Sequence, residues 1–372
     1  MRTIVISAVN LVEGGTLKVL QDCLREVRQS LPDWRIVALV NNRNVVNTDG
    51  IEIMEMPEPK TSWLKRIFAE YFQFKKISKK INPDIWWSLH DMTPNVKAKS
   101  RFVYCHNPTP FFRFTFKQLW LEPKLILFSG LYSLFYKINI KSNRAVIVQQ
   151  DWLRHGFKRM YGVREVIVAH PVENQVVPAL QKSGPIKTFV YPSLSRVFKN
   201  FELIAEAARL LESEADWQGQ IMLTINPTET RLARDLYRRY GNVRGLHFIG
   251  RQDRAAMTKL YEQMDCLLFP SRLETWGLPI SETKSLGKPM IVADLPYAYE
   301  TVGSYDQARF VDPDDPRALA DIMRAAHRDG WVLQPVKAAP VAEPFANNWS
   351  RLIELIVALH EQKHLNPSLN KR

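Results

Sequence analysis

Cysteine is scarce: the 372 residues hold only Cys23, Cys105 and Cys266, each in an apolar stretch and none spaced for pairing or for a metal. That excludes a disulfide-stapled secreted scaffold and a zinc module, and it reads as buried, reduced thiols of a cytosolic protein. Long apolar runs are also missing. A bilayer span needs about 18 to 20 such residues, whereas the nearest run, Leu125 to Tyr136, is twelve residues between Lys124 and Lys137. That length suits a buried or interfacial helix. The opening run, Met1 to Val9, is too short for a secretory signal and passes straight into Asn10 and Glu13, as a first strand would. Short-period repeats, low-complexity tracts and a G-x-G-x-x-G dinucleotide fingerprint are absent as well.

Acidic residues are thin in one half of the chain. Residues 1 to 180 carry 26 Lys+Arg against 15 Asp+Glu, whereas residues 181 to 372 carry 25 against 23, so the net charge of +13 lies almost wholly in the first half. The bias is concentrated further. Residues 60 to 80 hold seven basic residues and one acid, and residues 97 to 144 hold nine basic residues and the single acid Glu122, interleaved with Phe, Trp and Tyr. A surface of this kind meets nucleic acid, an anionic leaflet or a phosphorylated substrate, and charge alone does not choose among them.

With 46% apolar and 24% charged residues, the length suits two ordinary domains rather than one. The order of segments repeats. In the first half, β-branched runs at Arg2 to Val9, Arg35 to Val40, Ile51 to Met56, Asp84 to Leu89, Arg101 to Cys105, Ala145 to Val148 and Val166 to Ala169 alternate with amphipathic stretches. The helices are expected at Thr16 to Gln29, after the Gly14-Gly15 turn, at Trp63 to Ile81, near Leu119 to Lys141 and at Asp151 to Tyr161. Pro171 to Pro185 reads as a linker, and the alternation then restarts from Lys187 and runs to a helix at Pro316 to Arg328. A final amphipathic helix, about Trp349 to His360, is free to pack on either domain. The fold class is therefore α/β, with two similar parallel-sheet domains, 1–175 and 185–345, a C-terminal helix in 346–372, and ligands in a cleft beyond the carboxyl ends of the strands.

Candidate chemistry gathers at those ends. After the apolar run Cys266 to Pro270, the stretch Glu274-Thr-Trp-Gly-Leu-Pro-Ile-Ser-Glu282 sets two carboxylates beside a glycine turn at a helix that Pro279 opens. A glycine lets backbone approach a ligand and a helix's first amides favour an anion, so Trp276, Gly277 and Leu278 form a candidate diphosphate cradle with hydroxyl-binding acids on either side. Taken alone, such a loop is equally a strand-to-helix connection with two solvated acids. Arg196 and Lys199, after the strand Lys187 to Tyr191, would neutralise a leaving diphosphate or simply form a basic loop. His106, at the end of Arg101 to Cys105, and His90-Asp91, after Asp84 to Leu89, are either hydrogen-bonding and acid–base groups facing the cleft or polar turn residues before proline. Gly14-Gly15 either makes room for a tight turn or admits substrate at a helix start.

Glu274 to Glu282 resembles the E-x(7)-E signature of retaining GT-B glycosyltransferases, and specifically glycosyltransferase family 4, whose usual form is E-x-F/W-G-L-P-x-x-E. Phe269-Pro-Ser271, Gly287-Lys-Pro-Met-Ile-Val-Ala293 and Gly250 stand where that family has like residues, while the first half is similar only through Gly14-Gly15 and His106. The resemblance implies a GT-B fold of two Rossmann-like domains facing a central cleft. It implies further that Glu274 contacts the donor sugar, Glu282 the ribose, the backbone of Trp276 to Leu278 and the cations Lys199 and an arginine the diphosphate, and His106 the sugar site. One departure stands out: the family's arginine lies five residues before the lysine, where this chain has Leu194, and Arg196 is only three before Lys199.

The resulting expectation is a metal-independent, retaining transferase with no cofactor. It moves a sugar from a nucleotide-sugar to a glycan acceptor, lipid-linked as in bacterial surface-polysaccharide assembly, and is cytoplasmic and peripheral at the inner membrane face, which the basic first domain meets. Two alternatives stand beside it. A GT-B sugar-nucleotide epimerase would turn over donor without acceptor. A basic nucleic-acid-binding protein would leave the Glu274 to Glu282 site unexplained, and it lacks a recognised binding motif.

Overall fold

A computed structural model describes residues 1–47, 49–171, 184–338 and 340–365. It divides into two compact units, one made of residues 1–111, 129–173 and 341–372, the other of 112–128 and 174–340.

The first unit contains the strands β1 (Thr3–Ala8), β2 (Arg35–Val40), β3 (Glu52–Glu55), β4 (Ile85–Ser88), β5 (Ser100–Tyr104), β6 (Ala145–Val148) and β7 (Val166–Ala169). A late strand, Phe345–Ala346, adds itself beside β7, and the sheet runs late strand-β7-β6-β5-β4-β1-β2-β3 with every pairing parallel. A parallel sheet covered on both faces demands continuous rather than alternating hydrophobicity, and the runs Ile-Val-Ile-Ser-Ala and Ala-Val-Ile-Val are buried at each position. The helices α1 (Gly14–Ser30), α2 (Glu58–Thr61), α3 (Trp63–Phe68) and α4 (Phe74–Ile81) precede β4. One π-helical turn, Ala69–Gln73, joins α3 to α4, so the stretch expected as a single helix changes its phase midway.

The helix expected near Leu119 to Lys141 is two helices, α5 (Phe116–Leu121) and α6 (Pro123–Lys137). Pro123 has no amide hydrogen to continue a ladder, and Glu122 before it leaves the helical region (φ −135°, ψ 63°), so the chain breaks there and restarts. α7 (Asp151–Tyr161) completes this part of the chain.

The second unit has β8 (Thr188–Tyr191), β9 (Gln220–Leu223), β10 (Leu246–Phe248), β11 (Cys266–Phe269), β12 (Met290–Ala293) and β13 (Ala308–Val311), in the order β10-β9-β8-β11-β12-β13, all parallel. Its helices are α8 (Phe201–Glu212), α9 (Arg231–Tyr240), α10 (Arg254–Gln263), α11 (Leu278–Ser285), α12 (Pro296–Val302) and α13 (Pro316–Asp329). The chain then returns to the first unit through the late strand, β14 (Phe345–Ala346), and α14 (Trp349–Leu365).

α14 buries Leu352, Ile353 and Ile356 in the same core as Ile4, Leu20, Leu24 and Ile36, so this helix packs on the first sheet. Two differences from the expected division follow. Residues 112–128 pack with the second unit, and 341–346 with the first, because β14 pairs with β7. Most of the linker read at Pro171 to Pro185 lies outside the described residues. The three cysteines are buried and unpaired, and burial first of all pushes each thiol's pKa well up. Among the described residues no helix is long and apolar enough to cross a membrane.

Candidate active site

In an open parallel sheet the ligand crevice opens where the strand order reverses, beyond the carboxyl ends of the two strands that part there. In the second unit those strands are β8 and β11, since β9 and β10 lie to one side and β12 and β13 to the other. Lys199 follows β8 and Glu274 follows β11. The lysine ammonium donates a hydrogen bond to Glu274 Oε1, and the two side chains are 16% and 13% exposed, a poorly hydrated ion pair at the mouth of the crevice. Two aromatic faces, Phe198 and Phe269, lie 5.7 and 5.6 Å from the Lys199 nitrogen.

The loops carrying the pair are tied to each other. The Phe198 carbonyl accepts from the Arg272 amide at 2.8 Å, and the Arg272 guanidinium donates to the Pro313 carbonyl at 2.7 Å and to Asp314 at 2.6 Å. Two buried tyrosines brace the loops from below: the Tyr191 hydroxyl donates to the Lys199 carbonyl and that of Tyr297 to the Ser271 carbonyl, both at 2.7 Å. Burial first, and then the Glu274 charge, raise both phenol pKa values well above the ordinary tyrosine value, so both stay neutral donors. Sequence reasoning missed both: Tyr191 read only as the end of a strand, and Tyr297 fell in no expected element. Asn200, in the left-handed region at φ +57°, caps α8 and donates to the Pro313 carbonyl at 2.9 Å.

Gly277 precedes α11 at φ +85°, a conformation open to glycine, and no side chain caps the helix. Pro279 has no N–H and the Ile280 amide donates to the Gly277 carbonyl at 2.9 Å, so of the helix's first three residues only Leu278 offers an amide to an outside anion. Trp276 is buried, its indole donates to Ser281 Oγ at 2.9 Å, and its carbonyl accepts from Thr301 Oγ1. Leu278 opens the helix and is exposed. Glu282, expected in the helix's first turn, is its fifth residue and so lies in the second turn, exposed to solvent. It lies against Tyr261 of α10, whose hydroxyl is pushed up first by burial and then by the Glu282 charge and hydrogen bond. Gly250, at φ +76°, follows β10, the outer strand of the sheet and two strands from the crevice.

Arg196 is not joined to the Lys199–Glu274 pair. Glu122, at the break between α5 and α6, accepts from its guanidinium at 2.9 Å and from the Val197 amide at 2.7 Å. The arginine lines a separate hollow of about 400 Å³ with Glu229, Arg231 and Arg234. Glu122, the lone acid in a long basic stretch, was the available signal for this pairing.

In the first unit the strand order reverses between β1 and β4. Gly14 and Gly15 follow β1 but form the exposed first turn of α1 itself rather than a turn before it, and a Cβ on Gly14 would meet nothing within 4 Å. His90 and Asp91 follow β4, and His106 follows β5. Asp91, in the left-handed region at φ +70°, gathers the strand ends: it accepts from the Asn107 amide at 3.1 Å, the Tyr132 hydroxyl at 2.9 Å and the Tyr136 hydroxyl at 2.8 Å, as well as from the His106 amide. His106 is half-buried and donates from Nε2 to the Leu89 carbonyl at 2.9 Å. Burial holds its pKa below the usual value against the opposing charge of Asp91, which leaves a neutral ring at pH 7. His90 is buried, with Nδ1 3.0 Å from Glu70, and Arg66 donates to the His90 carbonyl at 2.7 Å. Arg66 and Glu70 were missed, although Glu70 is the one acid between residues 60 and 80. Among the described residues, no three His, Cys, Asp or Glu side chains are grouped to hold a metal ion.

Residues 173–338 match the family model described as Glycosyl transferases group 1, a span that falls almost wholly in the second unit. A curated relative, D-inositol 3-phosphate glycosyltransferase of Corynebacterium urealyticum, is 25% identical over 126 residues, which are 32% of this chain and only 30% of that protein's length. Among solved structures, sucrose-phosphate synthase from Thermosynechococcus elongatus superposes with a TM-score of 0.61 at 15% identity over 99% of both chains. HepE of Anabaena in complex with UDP-glucose does so at 0.59 and 14% identity, over 99% of this chain and all of that one. The two parallel sheets with their helices are the α/β architecture of GT-B glycosyltransferases.

Proposed function

We propose that the chain is a GT-B glycosyltransferase that takes a sugar from a nucleotide-sugar donor held by the second unit and passes it to a glycan acceptor. The observation that carries this is the Lys199–Glu274 pair at the β8–β11 crevice, one turn of chain from the uncapped start of α11. A diphosphate brought to that helix start would draw the Lys199 ammonium from Glu274 and leave the carboxylate free to accept from sugar hydroxyls. One ligand with a central anion and hydroxyl-rich ends thus satisfies both charges. The match of residues 173–338 to a glycosyltransferase model favours transfer over epimerisation, and the bound UDP-glucose of the HepE neighbour supports the donor class.

The finer reading is family 4 chemistry with retention of configuration, no resident metal or cofactor, and attack by the acceptor hydroxyl on the face the diphosphate leaves. Lys199 and the Leu278 amide stabilise the departing charge, Glu274 orients the sugar and Glu282 is assigned to the ribose. The acceptor is a lipid-linked glycan of surface-polysaccharide assembly, met at the inner membrane face with the help of the cationic first unit, and His106 faces the sugar.

The test is transfer by the full chain with a panel of nucleotide-sugars and lipid-linked acceptors. Glu274→Ala should lose transfer by about three orders of magnitude, the scale of removing an electrostatic contact made in the transition state, while the chain still folds cooperatively, with a lowered melting temperature because Lys199 is left without its partner. Full activity in Glu274→Ala, or no thermal stabilisation by any nucleotide-sugar, would overturn the reading.

A further inference from the structure

In the first unit, the segment from α3 through the π-helical turn turns large apolar side chains outward. Leu64, Phe68 and Phe72, spaced four residues apart, are 79%, 52% and 58% exposed, and the two phenyl rings stack at 5.5 Å. Trp63 begins the same face and stacks on Phe135 of α6 at 5.4 Å. One turn before Phe135 and directly beside it, Leu131 and Leu134 are again exposed, at 47% and 56%. A folded chain does not leave a contiguous ridge of this kind in water without a partner to cover it.

The charge beside the ridge has one sign. Lys65, Lys75, Lys76, Lys79 and Lys80 are exposed, and the only acid from Lys60 to Ile81, Glu70, is fully buried because the π-helical turn carries it inward to His90. The outer surface of this segment therefore presents phenyl and leucyl groups next to ammonium groups, with no carboxylate among them. A second copy of the chain would bring two such cationic faces together, which repel. Nucleic acid would meet the lysines and leave the leucines and phenylalanines wet. A leaflet of anionic lipid satisfies both at once, with rings at the acyl boundary and lysines among the phosphates.

We propose that the face formed by α3, the π-helical turn and α6 is a docking surface for an anionic bilayer. It deepens the membrane-side part of the function proposed above and rests on that reading for its role, but not for its physical basis. Because Leu64, Phe68 and Phe72 lie away from the sheet core, changing them leaves the donor machinery untouched.

The experiment is flotation of the full chain with vesicles of phosphatidylcholine alone and of phosphatidylcholine containing one third phosphatidylglycerol. Binding is expected only to the second, weakening as salt is raised. Phe68→Ser/Phe72→Ser and, separately, Lys75→Glu/Lys76→Glu should each lower the partition coefficient by at least about tenfold, the scale of losing two buried rings or reversing two charges at such a surface. Both variants should keep the wild-type melting temperature and nucleotide-sugar stabilisation. No binding, or equal binding to neutral vesicles, overturns the proposal. So does unchanged partition of both variants, a dimer that the Phe68→Ser/Phe72→Ser pair dissociates without vesicle binding, or preference for duplex DNA over the anionic vesicles. Any of these would leave donor stabilisation and the Glu274→Ala result standing, so the two readings fail separately.

Discussion

At the scale of single residues, the second unit places two unlike lysines near one helix. Lys199 faces an opposite charge, whereas Lys284 of α11 is buried and donates to the Thr301 carbonyl at 2.9 Å. Burial lowers the Lys284 pKa from its ordinary 10.5 to about 8. The linkage sign follows from the protons held. Between about pH 8 and 10.5 the unfolded chain keeps a proton that the folded chain gives up, so this group's contribution to stability rises with pH by about 1.4 kcal/mol per unit. Below pH 8 both states are charged and the full cost of burying the ammonium is present. Denaturant unfolding of wild type and Lys284→Met should therefore show the wild type gaining about 2 kcal/mol on the variant between about pH 7 and about pH 9.5. An unchanged difference would refute the depressed pKa. Little of this was legible in the sequence. Glu274, Lys199 and His106 could be found because they follow strands, but Glu122 turning to Arg196 and the Tyr191 and Tyr297 braces depend on side-chain contacts between residues 8 to 74 positions apart.

At the scale of elements, the turn into α11 is held by shape. Alanine at Gly277 would face φ +85° and put its Cβ 3.2 Å from both Ile280 Cδ1 and Phe269 Cε1. The expected loss is about 1 to 2 kcal/mol for the left-handed backbone, together with weaker nucleotide-sugar binding because the Leu278 amide shifts. Calorimetry and titration of Gly277→Ala with the preferred donor check both; unchanged affinity would mean that this amide does not hold the diphosphate. Elements of this kind were the most readable part of the chain. Arg35–Val40, Ala145–Val148 and Cys266–Phe269 announce themselves as continuous apolar runs between turn residues, as strands of a doubly covered sheet must. β13 carries Arg309 in an edge position, β14 is two residues long, and α12 is a short helix opened by Pro296, so none has enough periodicity to be seen. The π-helical turn was hidden for a different reason: its residues suit an ordinary helix, and only the packing of Glu70 and Ala69 reveals the shift.

At the scale of the whole molecule, the first unit is assembled from both ends of the described chain. α14 supplies Leu352, Ile353 and Ile356 to its core, and β14 covers the open side of β7. A chain stopped after residue 348 should lose more than about 5 kcal/mol from the first unit, given about 2 to 5 kcal/mol for each large buried aliphatic removed. The second unit, which keeps all six of its strands, should retain its own unfolding transition and its stabilisation by nucleotide-sugar. Loss of both transitions would show that the units do not fold independently. The same arrangement fixes an order of events during synthesis. Seven strands of the first sheet leave the ribosome early, yet the side of β7 and the apolar face of α1 stay uncovered until the whole second unit has been made. The nascent protein thus carries an unpaired parallel edge for the time taken to translate more than 170 residues, an edge open to neighbouring chains. Its yield in the cell is therefore expected to depend on translation speed and on chaperones more than on the stability of the finished fold.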